Sequence, residues 1–284
     1  MVATRAELNL ENSQEVSKFL ESKNVDTVIL AAAQVGGIGA NSTNQMNFLL
    51  NNLRIQNSVI ESAARLEIPN FVFLGSSCIY PQLAPQPIKE ESLLSGYLEP
   101  TNEGYALAKI VGIRLCKAVF DEKGLNYFSL MPTNLYGPND NFDLEWGHVP
   151  AALMRKFHEA KITNQKKVIV WGTGLPKREF MHVNDMASAV WQMLRKNVSG
   201  ELINIGTGKD ISISDFARTM AKVIGYEGEI IFDTTKPDGT PRKLLDVRKA
   251  HSYGWHHQIE LLEGLQQTYS WFVNALAKGE VRGY

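Results

Sequence analysis

The sequence predicts an α/β protein built on a Rossmann-like, doubly wound parallel sheet, with a smaller C-terminal α/β region beside it. Three short apolar runs carry that reading: Val25–Ala33 (VDTVILAAA), Asn70–Ser76 (NFVFLGS) and Asn126–Met131 (NYFSLM). They are too short for buried helices and rich in β-branched and aromatic residues, as strands covered on both faces must be. Stretches with apolar residues near helical spacing separate them, at 44–65 and 105–120. Strand and helix alternating with short links is the pattern of a parallel sheet covered by helices.

Taken in order, the run at 25–33 leads into the helix at 44–65, where Met46, Leu49, Leu50, Leu53, Val59 and Ile60 make the apolar stripe. Pro69 ends that helix before the strand at 70–76. A Pro-rich loop spans 81–100, the helix at 105–120 follows, and the strand at 126–131 comes next. Beyond Pro138 a polar loop (NDNFDLEWGH) precedes a helix at 149–160, a strand at 167–171 and a helix at 183–195. A strand at 202–205, a helix at 213–224, a strand at 229–232 and a closing helix at 262–277 complete the chain. We expect residues 1–142 to form one domain. Residues 143–284 should be mainly a second, smaller α/β region, with some segments returning to the first sheet.

Composition narrows the function. In 284 residues, 44% are hydrophobic and 21% charged, and the net charge is −1. That balance argues against a protein that neutralises nucleic acid or coats an anionic membrane. No apolar run approaches the roughly 18 residues that cross a bilayer. Met1–Ser13 has no apolar core of a signal peptide. Two cysteines, Cys78 and Cys116, exclude a disulfide framework and point to a reducing, cytoplasmic setting. The six histidines show no metal-ligand spacing, so no metal is expected. The Gly-rich stretch Val35–Gly39 is not a dinucleotide fingerprint, because counting from Gly37 the sixth residue is Ser42.

The local chemistry centres on Tyr105-Ala-Leu-Ala-Lys109. Four residues apart on a helix, Tyr and Lys share a face. An ammonium beside a phenol favours phenolate and brings the pair into range for acid–base work on a carbonyl or alcohol. Alone, the pattern is better matched by an amphipathic helix with a solvated Lys. Ser76, Ser77 and Cys78 lie where the strand at 70–76 ends, and open α/β sheets bind ligands outside the carboxyl ends of their strands. By themselves the two serines would also simply satisfy backbone groups there, and Cys78 would be a small buried hydrophobe. His148 precedes the helix at 149–160, and Cys116 belongs to packing.

Six segments occur in one order: LGSSCIYP (74–81), EPTNEGYALAK (99–109), MPTNLYGPNDNF (131–142), WGTGLPKREFMHVNDMA (171–187), NIGTG (204–208) and KPDGTPRKLLDV (236–247). Together they closely resemble the GDP-L-fucose synthase family of extended short-chain dehydrogenases/reductases, from about Arg5 to the C-terminus. The resemblance implies a two-part reaction on a GDP-4-keto-6-deoxy sugar: epimerisation at carbons 3 and 5, then NADPH-dependent reduction at carbon 4. It implies a reductase set of Ser76, Tyr105 and Lys109, and an epimerase acid–base pair of Cys78 and His148. Cofactor contacts would come from Arg5, Gly75, Ser76, Ser77, Tyr105, Lys109, Pro132, Thr133, Asn134, Leu135 and His148. Arg5 would face the 2′-phosphate that distinguishes NADPH. Substrate contacts would come from Lys156, Trp171, Arg178 and Asp238. Some relatives have Arg where Lys156 stands, so bidentate phosphate binding would be weaker here. The family usually pairs as a homodimer through helices such as 105–120, and 44–65 is the other candidate face.

One part of the family pattern is not in these residues: the opening strand, Gly-rich turn and helix that hold the cofactor pyrophosphate. The expectations are a sheet without its first strand and helix, an apolar strand at 25–33 left as an edge, and a chain that binds NADPH poorly and is inactive as it stands. Two rival readings stay open, a sister epimerase or dehydratase that retains NAD(P), and an inactive fragment that binds only the GDP-sugar.

Overall fold

The computed structural model describes residues 1–36, 44–144, 146–236 and 238–284. Part of the Gly-rich stretch, Gly37 to Gly39, therefore lies outside the described residues, as does Ser42. Helix α1 (Ser13–Ser22) opens the fold, then β1 (Thr27–Leu30), α2 (Gln45–Arg65) and β2 (Asn70–Leu74). Helix α3 (Glu103–Lys123), β3 (Asn126–Pro132) and β4 (Asn134–Tyr136) follow. Next come α4 (Val149–Ile162), β5 (Lys167–Trp171), β6 (Lys177–His182) and α5 (Val183–Lys196). The chain then forms β7 (Leu202–Ile205), β8 (Asp210–Ser212), α6 (Ile213–Ile224) and β9 (Glu229–Asp233). It ends with β10 (Arg242–Lys243), α7 (Arg248–Ser252) and α8 (Leu261–Leu276).

The first sheet is parallel, in the order β1-β2-β3-β7. Its alternating side chains explain why the strands read as unbroken apolar runs. Phe71, Phe73 and Tyr127 face a core made with Ile55, Val59 and Ile60 of α2 and Ile110 and Ile113 of α3. Val72, Phe128, Leu130 and Ile203 face the opposite core, with Met186, Ala189 and Met193 of α5 and with Trp255. Helices on both faces make the sheet doubly wound, and the family's α/β architecture is present. Among the described residues, β1 pairs with β2 alone, and Ile29 is 49% exposed. No strand precedes β1 among them.

The second region has two small sheets. Strands β10-β6-β4 pair in parallel with β8 antiparallel to β6, and β5 pairs with β9. Its core gathers Tyr136, Phe142, Met154, Phe157, Phe180, Phe216, Met220 and Phe272. β7 leaves this half of the chain to close the first sheet beside β3. Both regions thus meet where β3 passes through Pro132 and Thr133 into β4.

Candidate active site

Strand β2 ends at Leu74, and the chain turns through Gly75 and Ser76 into a 3-10 turn at Ser77–Ile79. The Ser76 hydroxyl caps that turn by accepting the Cys78 amide, 3.3 Å away. Helix α3 brings Tyr105 in its first turn and Lys109 one turn later. Gly112 lets α3 approach the sheet closely, since a Cβ there would sit 2.4 Å from the Phe73 ring. The approach carries the Tyr105 hydroxyl to the neighbourhood of Ser76, which acts on it as a hydrogen-bonding group. Lys109 Nζ donates to the Leu74 carbonyl at 2.8 Å and lies 5.9 Å from the centre of the Tyr105 ring.

The electrostatics differ from the simple sequence argument in one respect. Lys109 is expected to lower the Tyr105 phenol. Instead, burial dominates and pushes the phenol above its ordinary range, the neighbouring Cys78 adds to the rise, and only the Ser76 hydrogen bond pulls it down. Lys109 is itself 3% exposed, and loss of solvent brings its ammonium down to about 8. Its proton is therefore held loosely just above neutrality, a useful poise for relaying charge to a phenol.

A second wall faces this one. In the β6–β10 ladder Arg178 pairs with Lys243. Lys243 Nζ lies 3.8 Å from Cys78 Sγ, and the Arg178 charge acts on Cys78, Asp238 and Glu99. Strand β5 ends at Trp171, and two ammonium groups approach its ring, Lys156 at 5.5 Å and Lys236 at 5.4 Å. Asp238 accepts from the Thr173 amide at 2.9 Å and the Thr173 hydroxyl at 2.6 Å, which ties Asp238 to the turn after β5. Aromatic face, cations and a pinned loop form an exposed cradle for a planar, anionic ligand.

Beside the end of β2, where the Gly75 amide donates to the Leu130 carbonyl, β3 runs on through Pro132 and Thr133 into β4. The Thr133 hydroxyl and the Asn134 amide both donate to the Glu179 carbonyl, at 3.0 and 2.9 Å. Glu179 is fully buried, and its carboxylate accepts the Gly208 and Leu245 amides at 2.7 and 3.0 Å. Burial nevertheless raises its pKa. Gly206 of the NIGTG segment makes room for this carboxylate, since a Cβ there would fall 2.3 Å from its Oε1. Glu179 therefore locks together β6, the loop after β7 and the start of α7's approach.

The remaining sequence candidates are less connected. His148 is the exposed N-cap of α4, and its charge acts on Asp140. Arg5 is exposed in a turn and forms no ion pair among the described residues. Neither residue contacts Ser76, Cys78 or Tyr105 through any described hydrogen bond. Cys116 is 1% exposed, and burial pushes its thiol up to about 12. Sequence reasoning missed Lys243, Lys236, Thr173 and Glu179. Among the described residues no three His, Cys, Asp or Glu side chains gather as a metal site.

A doubly wound sheet with Ser, Tyr and Lys converging at a strand's carboxyl end defines a class: enzymes that move protons and hydride at a sugar-like carbonyl. Residues 2–206 match the NAD dependent epimerase/dehydratase family. GDP-L-fucose synthase of Escherichia coli (strain K12) is 50% identical over 282 residues, covering 96% of this chain and 88% of that protein. A GDP-6-OMe-4-keto-L-xylo-heptose reductase from C. jejuni superposes with a TM-score of 0.90 at 34% identity, covering 96% of this chain and 90% of that one. A GDP-L-fucose synthetase from Naegleria fowleri bound to NADP gives a TM-score of 0.88 at 25% identity, covering 99% and 87%. The chain belongs to the NAD dependent epimerase/dehydratase family, and within it to the GDP-L-fucose synthases.

Proposed function

We propose that this protein converts GDP-4-dehydro-6-deoxy-D-mannose to GDP-L-fucose, by epimerising carbons 3 and 5 and reducing carbon 4 with NADPH. The observation that carries the reading is the convergence of Ser76, Cys78, Tyr105 and Lys109 at the end of β2, in a chain half identical to a GDP-L-fucose synthase. A ketone at carbon 4 acidifies the hydrogens on carbons 3 and 5. When one leaves, the charge collects on the carbon-4 oxygen. Tyr105 and Ser76 donate hydrogen bonds to that oxygen, as an oxyanion hole does. Cys78 and His148, on opposite faces of the sugar ring, serve as acid and base, so the proton returns from the other side and the centre inverts.

The donor set fits the nicotinamide-ribose end of the cofactor, while no strand and Gly-rich turn for its pyrophosphate precedes β1 among the described residues. Tyr105 and Lys109 would hold the nicotinamide ribose, Pro132 to Leu135 would flank the ring, and Arg5 would meet the 2′-phosphate. When bound, NADPH supplies a hydride to carbon 4. Tyr105 then gives its proton to the carbon-4 oxygen, and Lys109 stabilises the phenolate left behind. Epimerisation and reduction share one site because both put negative charge on one oxygen. Trp171 stacks on the guanine, while Lys156 and Arg178 neutralise the diphosphate.

Incubation with the GDP-ketosugar in deuterated water tests the reading. Deuterium should enter carbons 3 and 5, a step that needs no hydride, and GDP-L-fucose should form once NADPH is added. Recovery of undeuterated ketosugar from protein shown to bind it would overturn the proposal.

We also infer a homodimer. Met46 and Leu50 of α2 and Leu107 and Val111 of α3 are exposed apolar side chains on adjacent helices. Val111→Glu should halve the particle mass measured by light scattering, because it buries a charge in the joint four-helix face. An unchanged mass would place the interface elsewhere. Both cysteines are free, in keeping with a cytoplasmic setting. No helix among the described residues is long and apolar enough to cross a membrane.

A further inference from the structure

The KPDGTPRKLLDV segment contains a residue to which the mechanism above gives no role. Lys243 occupies a two-residue strand, β10, which runs parallel to β6 and is paired in register with Arg178. Neighbouring Arg242 turns the other way and ion-pairs with Asp210. Lys243 thus shares a face with Arg178, as directly opposed residues in a ladder do. From there its ammonium reaches Cys78 Sγ at 3.8 Å, across 165 residues of sequence.

We propose that Lys243 is the countercharge of the Cys78 sulfur, and so a positioning residue for the epimerisation. The inference rests on the reading of Cys78 as a proton donor and acceptor. When Cys78 protonates a substrate carbon, the S–H bond breaks, its electron pair stays on sulfur, and the enolate's carbon-carbon pair forms the new C–H bond. When Cys78 acts as base, the same events run backwards. Either way a thiolate exists on one side of the step, in a half-buried place where a bare anion is costly. A neighbouring cation stabilises a thiolate. The other groups facing the sulfur cannot substitute for Lys243. Tyr105 is neutral or anionic. Arg178 divides its charge among Cys78, Asp238 and Glu99. The hydrogen-bonding contact belongs to Lys243 alone among the described residues.

The test compares the unsubstituted protein with Lys243→Met and Lys243→Arg, using iodoacetamide as probe of Cys78. Cys116 is too buried to react, and Cys78→Ser gives the blank. In Lys243→Met the rate of Cys78 alkylation at neutral pH should fall about tenfold. Deuterium exchange at carbons 3 and 5 of the GDP-ketosugar should fall roughly tenfold with KM unchanged. Lys243→Arg should restore both. An alkylation rate unchanged in Lys243→Met, in protein that still exchanges deuterium, overturns the role of Lys243 and leaves the proposed function standing. A slowed alkylation in protein that exchanges no deuterium upholds the Lys243–Cys78 coupling and sinks the substrate reading instead.

Discussion

Replacing Tyr105 by Phe is expected to lower ketone reduction by at least about a thousandfold and deuterium exchange by about a hundredfold. The two losses differ because the hydroxyl does two things. In exchange it only donates a hydrogen bond to the carbon-4 oxygen, and one such donor is worth roughly two to three orders of magnitude. In reduction it must also surrender its proton, which adds a general-acid contribution of about a hundredfold or more. Folding should hardly change. The ring remains packed, and the Ser76 hydrogen bond lost with the hydroxyl is worth about 1 kcal/mol. Measuring both rates on one preparation, with the melting temperature as a fold control, separates the roles. Equal losses in the two rates would mean that Tyr105 does not deliver the proton. A loss under about threefold in either would remove it from the site.

That Tyr105 could be singled out from sequence reflects how local its signals are. The spacing of Tyr105 and Lys109 is a property of one helix, and Ser76 and Cys78 sit just past an apolar strand whose end is easy to see. The same locality made α6 and β7 legible to the residue, because Ser212 and Gly225 cap one and turns bound the other. Helix α1 escaped notice although Asn12 caps it by accepting the Gln14 and Glu15 amides. Its apolar stripe is short, with Val16 and Leu20 buried and Phe19 partly so. Strand β6 was hidden by Lys177, Arg178 and Glu179 at its start, which read as loop. Glu179 is buried there only because amides from distant segments satisfy its carboxylate. Lys243 was hidden for a related reason. A two-residue strand has no periodicity, and its partner Cys78 is distant in the chain. What no window of sequence contains is a contact between residues far apart. His148 and Arg5 rest on the resemblance alone, since no pattern in the residues around either one points to chemistry, and both are exposed in the structure.

Lys109→Met should cost at least about a hundredfold in activity and yet make the protein more stable. The native ammonium is buried and titrates near 8, against 10.5 for an ordinary Lys. The folded state therefore binds this proton more weakly than the unfolded state does. Below pH 8 both states carry the proton, and the full penalty of burying the charge weighs against folding. Between 8 and 10.5 the folded state sheds its proton first, so raising the pH recovers stability. Above 10.5 both states are neutral and the penalty has gone. A gap of this size corresponds to about 3 kcal/mol. Met matches the length of the Lys stem and removes the charge, at the cost of the hydrogen bond to the Leu74 carbonyl, worth about 1 kcal/mol. The net gain of about 2 kcal/mol should raise the melting temperature at pH 7 by roughly 3 °C. The advantage should shrink as the pH climbs from 8 and reverse in sign above 10.5, where only the lost hydrogen bond remains. Calorimetry of the two proteins at pH 7 and pH 10 reads both signs. If Lys109→Met melts lower than the parent at pH 7, the charge is not carrying a burial penalty there. A stabilised but inactive variant would mean that the protein sacrifices stability at Lys109 to keep a loosely held proton beside Tyr105.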